Sequence, residues 1–351
     1  MKKIIACLMA CFLAIYGLTA CSTEKKQAAS EKEGLHIVCT NFPAYDFVRQ
    51  IVGDKATVTM LLKPGAEAHS YEPSPKDIQM IQKSDLFIYV GGDSDEWVDG
   101  ILDSMDKSHL KTFKMMDAVT LHEEELAEGM QEEDHDHDHH DGKEEDKDHH
   151  EDKDHHEDKD HHEDKDHDHH DEEEEPEMDE HVWTSPANAV LIVKALNTAI
   201  SSLDESHKDV FQKNTDAYVA KLEALDKEFR DVIDNAKRKE IIVGDRFPFL
   251  YFVKEFGLKY YAAFPGCAKE TEANPATISF LIDKVKEDGI PVVFHIEMSN
   301  EQMSRSIAEA TGAKNELLNA VHNVTAEQFK NGTTYIDLMK HNVSVLKEAL
   351  N

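Results

Sequence analysis

The chain has 351 residues, 40% of them hydrophobic, and a formal net charge of −34 at pH 7. The acidity is local: segment 123–180 carries 32 Asp or Glu against 5 Lys, −27 of the total, so the remainder is close to balanced. No basic stripe exists to neutralise phosphates, which excludes nucleic acid as a partner.

Lys2 and Lys3 precede an apolar run from Ile4 to Tyr16. It is too short for a spanning helix and has the form of an export signal. It closes on Leu18-Thr19-Ala20-Cys21, which resembles the lipobox of bacterial lipoproteins. That resemblance implies cleavage after residue 20, lipidation of Cys21 and a location outside the cytoplasmic membrane. Residues 21–34 then read as a polar tether. Cys7 and Cys11 leave with the signal, so only Cys39 and Cys267 remain besides Cys21. Two cysteines are no disulfide framework, and small buried apolar residues are the favoured reading.

Short β-branched runs at His36–Asn41, Thr57–Leu62 and Asp85–Val90 predict strands. Ala44–Val52, Pro75–Gln82 and Glu96–Met105 predict helices between and after them. Such alternation argues for a parallel sheet flanked by helices. Ser74-Pro75, Ser185-Pro186 and Asn274-Pro275 each place a capping side chain before a proline at the first helical position.

Segment 123–179 interrupts this pattern. The hexad Asp-Lys-Asp-His-His-Glu starts at Asp146, Asp152 and Asp158, and a degraded copy starts at Asp164. The run holds His135, His137, His139, His140, His149, His150, His155, His156, His161, His162, His167, His169 and His170. It has almost nothing to bury, which predicts disorder. Imidazole interleaved with carboxylate is a donor set for zinc, copper or nickel. The segment reads as a metal-collecting loop inserted into a folded lobe.

From 186 to 238 the pattern is helical. Phe211, Thr215, Tyr218, Leu222, Leu225, Phe229 and Val232 recur at spacings of 4 and 3, which predicts a long rigid linking helix. Beyond it, Glu240–Val243, Tyr260–Phe264 and Val292–Ile296 predict strands, and Pro275–Lys286, Glu301–Ala310 and Thr334–Leu350 predict helices. The expected architecture is α/β: a lobe at 35–185 containing the insert, a helical region at 186–238, and a second lobe at 239–351. The two lobes are built on mainly parallel sheets.

His69 follows the strand ending at Leu62, at the edge where α/β sheets gather ligands. His181 stands just before Trp183 and a helix cap, where packed structure should resume. His295 and Glu297 are two apart at a strand end and would share a face. His36, His109, His207, His322 and His341 are isolated and read as solvated.

Lys63-Pro64-Gly65 through His69-Ser70-Tyr71-Glu72-Pro73, and His181-Val182-Trp183 through Pro186, resemble signature segments of the zinc/manganese solute-binding proteins of ABC transporters, cluster A-I. The insert lies between them, where zinc-type members carry a His-rich loop. Tyr335 to Met339 with Asn342 and Leu346 resembles that family's last helix. The resemblance implies a non-enzymatic, monomeric protein that captures Zn²⁺ for an ABC permease and its ATPase, with Mn²⁺ as the alternative ion. It implies cleft ligands at His69, His181 and Glu297. Where the family carries a third histidine this chain has Arg246, which cannot bind a metal; the neighbouring Asp245 is the expected substitute, with His295 in reserve and Arg246 turned away onto a carboxylate. Rival readings are a metal-storage or adhesive surface lipoprotein and a zinc hydrolase. The last lacks His-Glu-x-x-His.

Overall fold

A computed structural model describes residues 34–130, 177–268 and 274–351. Cys21, the signal and the thirteen histidines of the insert lie outside the described residues.

The first lobe is a four-stranded parallel sheet of order β2-β1-β3-β4. Its strands are β1 (Leu35–Cys39), β2 (Ala56–Met60), β3 (Leu86–Tyr89) and β4 (Lys111–Lys114). Three helices accompany it: α1 (Phe42–Val52), α2 (Pro75–Lys83) and α3 (Trp97–Ser104). Asn41 caps α1 by accepting from the N–H of Ala44, and Ser74 and Asp77 form a reciprocal capping box on α2.

The chain then enters two helices, α4 (Pro186–Leu203) and α5 (Lys208–Asp234). The side chain of Asn197 donates to Gln212 at 2.9 Å. In one continuous helix these residues would stand roughly 22 Å apart. The chain therefore reverses at 204–207, and the linking helix proper is α5.

The second lobe repeats the first, with sheet order β6-β5-β7-β8 and all pairings parallel. Its strands are β5 (Glu240–Phe247), β6 (Lys259–Pro265), β7 (Val292–His295) and β8 (Lys314–Leu317). Its helices are α6 (Leu250–Phe256), α7 (Pro275–Asp288), α8 (Gln302–Thr311), the short α9 (Ala326–Lys330) and α10 (Tyr335–Ala349).

One hydrophobic cluster runs through both lobes. It joins Ile37 and Ile88 of the first sheet to Val243 and Phe294 of the second through Phe211, Leu222 and Phe229 of α5. Smaller clusters cover the outer faces of each sheet. The C-terminal segment also returns to the first lobe. Buried Asp46 of α1 accepts from the N–H of Tyr335 at 2.7 Å, and Arg49 donates to the carbonyl of Thr333. Cys39 and Cys267 are free and buried. No described helix is long and apolar enough to cross a membrane.

The insert is narrower than 123–179. Glu123 pairs with Met178 in an antiparallel bridge, the N–H of Glu124 donates to the carbonyl of Glu177, and the N–H of Asp179 donates to that of His122. Asp179 and Glu180 are both 1% exposed, so they belong to the core and not to a solvated run.

Candidate metal centre

Segments leaving β1, β2, β3 and β8, at the carboxyl ends of their parallel strands, line one cavity together with Glu180 and Trp183: Asn41, Leu62, Ser94 and His322 are among its walls. The loop after β2 carries His69. Its turn is held to the second lobe: the N–H of Gly65 donates to the carbonyl of Val324, and the side chain of Asn323 donates to the carbonyls of Lys63 and Ala66 at 2.7 and 2.8 Å.

His181 precedes a single 3-10 turn at Val182–Thr184 and is fully buried. The hydroxyl of Thr184 donates back to its carbonyl. Gly266 lies against it: a Cβ there would come within 3.1 Å of His181 Nδ1 and 2.9 Å of the Phe247 carbonyl. Only a glycine permits that approach.

The third imidazole is His322, in the segment after β8. It is 7% exposed, which overturns its reading as a solvated histidine. Val321 before it has φ 65°, a costly conformation for a β-branched residue. That turn carries His322 into the cleft.

Ring nitrogens of His69, His181 and His322 lie within 4.8 Å of one another. The ring centroids are 5.6 Å apart for His69 and His181, 5.4 Å for His69 and His322, and 4.8 Å for His181 and His322. Each Nδ1 faces an oxygen: Ser94 Oγ at 3.2 Å for His69, Asp179 Oδ1 at 3.1 Å for His181 and Glu297 Oε1 at 3.3 Å for His322. Each Nε2 is buried without a partner. Buried polar atoms are nearly always satisfied, so three orphans in one cluster require a ligand. An imidazole whose Nδ1 is tied to an oxygen presents Nε2 as a metal donor.

Electrostatics suit a cation. Burial, then the neighbouring histidines and Arg246, push His69 down to about 2, and burial pushes His181 well below the ordinary imidazole value. Both rings are therefore neutral and ready to ligate. Burial raises Asp179 to about 7 and Glu180 to about 8. Glu180 Oε1 stands 4.0 Å from His181 Nε2, and Glu180 is held by the N–H and hydroxyl of Ser94.

The expected residues of the second lobe take other positions. Asp245 accepts from the N–H of Arg246 at 2.9 Å and is not part of the three-histidine cluster. Glu297 stands behind His322, where its two oxygens accept from the N–H groups of Ala320 and His322, each at 2.7 Å. His295 faces Asn315 Oδ1 at 3.0 Å and Glu301 at 3.7 Å, apart from the cluster. Arg246 pairs with a carboxylate as expected, namely Glu67.

Fold and site together define a two-lobed protein with a metal-binding cleft. A family model described as "zinc-uptake complex component A periplasmic" (ZnuA) matches residues 37–349. The high-affinity zinc uptake system protein ZnuA of Bacillus subtilis is 35% identical over 97% of this chain and 95% of its own. The zinc-binding lipoprotein AdcA of Streptococcus pneumoniae is 32% identical over 99% of this chain, which spans 61% of that longer protein. The solved Zn(II)-bound ZnuA-like domain of AdcA is 28% identical with a TM-score of 0.67, covering 90% of this chain and 99% of that one. The structure of the metal-dependent lipoprotein YcdH from B. subtilis is 30% identical with the same TM-score and coverage. The chain belongs to the ZnuA family of metal-binding proteins.

Proposed function

We propose that the protein captures Zn²⁺ outside the cytoplasmic membrane and delivers it to an ABC permease driven by its ATPase, with a lipid on Cys21 as its anchor. The ion is cargo, and no covalent chemistry is performed on it. The observation that carries this reading is the trio of buried, unpartnered Nε2 atoms of His69, His181 and His322. Three buried imidazole nitrogens with a nearby carboxylate match the N/O donor sets of zinc better than the oxygen-rich shells of manganese. His69, His181 and His322 are the ligands, Glu180 is the carboxylate available as fourth donor, and Asp179, Ser94 and Glu297 orient the rings. The histidines of the insert collect metal ahead of the cleft. The experiment is competitive titration of the purified, metal-stripped protein with Zn²⁺ and Mn²⁺ beside the triple variant H69A/H181A/H322A. One tight zinc site should vanish in the variant. Equal affinity for the two ions would overturn the zinc assignment.

A further inference from the structure

Arg246 occupies an expensive place. Arg246, at the end of β5, is 9% exposed, and its charge acts on the imidazoles of His69 and His181, two of the three proposed ligands of a divalent cation. A bare cation there would oppose metal binding by direct repulsion. What compensates it comes from the other lobe: Nη2 donates to Glu67 Oε1 at 3.2 Å. Nη1 makes only a long contact, 3.4 Å, to the carbonyl of Ala268 in its own lobe.

Glu67 has a second task. Its Oε1 also accepts from the N–H of His69 at 3.1 Å, and its Oε2 accepts from the N–H of Ser70 at 2.8 Å. One carboxylate therefore holds the backbone of a metal ligand and bridges to a cation of the opposite lobe. Opening the cleft would carry Glu67 and His69 away from Arg246 together. Glu67 would keep its hold on the His69 backbone but lose its anchor in the second lobe, and Arg246 would be left uncompensated beside the ion.

We infer that Arg246 and Glu67 form an inter-lobe latch that positions His69 and sets how slowly the closed cleft releases its metal. Arg246 is a positioning residue that acts through Glu67 and never touches the ion. The latch rests on the zinc-capture reading, since it needs His69 to be a ligand. It differs from a general stabilising ion pair in its kinetic signature. It exists only in the closed form, so it should act on dissociation and leave association unchanged.

The test uses the full-length chain loaded with Zn²⁺ and mixed rapidly with excess chelator. Glu67→Gln, Arg246→Met and the double variant are compared with wild type for release and, separately, for uptake of Zn²⁺. Each single change should speed release about tenfold, within the range of coupling between contacting groups. The double variant should release no faster than the faster single. Arg246→Lys should recover part of the loss, because it restores the charge without the planar fork. If Arg246→Met fails to fold, as judged by metal-free thermal unfolding, Glu67→Gln and Arg246→Lys carry the same comparison. Unchanged release, slower release, or additive effects in the double variant would overturn the latch. His69→Ala separates the two readings: if it leaves zinc affinity intact the ligand assignment fails, whereas if it destroys affinity while release from Glu67→Gln is normal, only the latch fails.

Discussion

Trp183 donates its indole N–H to the carbonyl of Ala320 at 2.8 Å, across 137 positions of sequence. Trp183 lies two residues after His181, and Ala320 two before His322. Both are buried, so one bond sets the spacing between two of the three imidazoles. The hydroxyl of Tyr335 donates to the carbonyl of Trp183 at 2.7 Å and fixes the other side of the same residue. Trp183→Phe keeps most of the apolar contact but strands a buried carbonyl, which costs about 1–3 kcal/mol. Urea unfolding should register that loss, and zinc affinity should fall several-fold. An unchanged affinity in a folded variant would show that the spacing is set elsewhere.

His322 and Asp245 are separated by a simple comparison. His322→Ala removes a buried donor whose Nε2 faces the other two, so zinc affinity should fall at least about tenfold, or on the order of 1.4 kcal/mol. Asp245→Ala removes a side chain engaged with the neighbouring backbone N–H, and its effect should be much smaller. Calorimetric titration of both variants gives the ranking, and the reverse order would return the third ligand to Asp245.

Much of this architecture was legible in the chain, and the gaps have physical causes. The strands read from β-branched runs appear within four residues of their expected ends, because buried parallel strands are apolar on both faces. The two missed strands, β4 and β8, read Lys-Thr-Phe-Lys and Lys-Asn-Glu-Leu. Each is the edge of its sheet, where polar residues are tolerated. Missing β8 hid His322, since a histidine just beyond a parallel strand is a candidate ligand and one on an unassigned stretch is not. His69 and His181 stood beside recognisable loop and cap chemistry. Asp179 was hidden by its acidic neighbours, and only burial distinguishes it from them.

Glu255 carries a pH dependence unconnected with metal. It accepts from the hydroxyl of Ser185, the cap of α4, and pairs with Arg230 at 3.0 Å. Burial raises its carboxyl from the ordinary value near 4.5 to about 7. The folded state thus holds a proton that the unfolded state has shed. The stability this group contributes is complete below about 4.5 and is lost as pH rises through about 7. Glu255→Gln cannot titrate. The difference in unfolding free energy between the variant and wild type should move in favour of the variant as pH rises from about 5 to about 8. A difference that stays constant over that window would show that Glu255 has an ordinary pKa in the folded protein.

The insert can be removed without touching the cleft only if the cut respects its root. Residues 122–124 and 177–179 pair with one another, and the root is strapped to the second lobe. The N–H of Cys267 donates to Glu124 at 2.8 Å, Lys259 reaches Glu128 at 3.4 Å, and the hydroxyl of Thr277 donates to the carbonyl of Gly129 at 3.0 Å. Asp179 at its end both orients His181 and accepts, through its carbonyl, from the hydroxyl of Tyr251. Replacing residues 131–176 by a short Gly-Ser turn therefore keeps the carboxylate that orients His181, whereas deleting 123–179 removes Asp179. Calorimetry should find one tight zinc site in the first variant, with the weaker sites of the full chain gone. The longer deletion should also weaken the tight site, by about tenfold or more, as loss of an orienting carboxylate does in metal sites generally. Loss of tight binding in the shorter deletion would mean that histidines of the insert complete the cleft site, and the separation between collecting loop and cleft would fall.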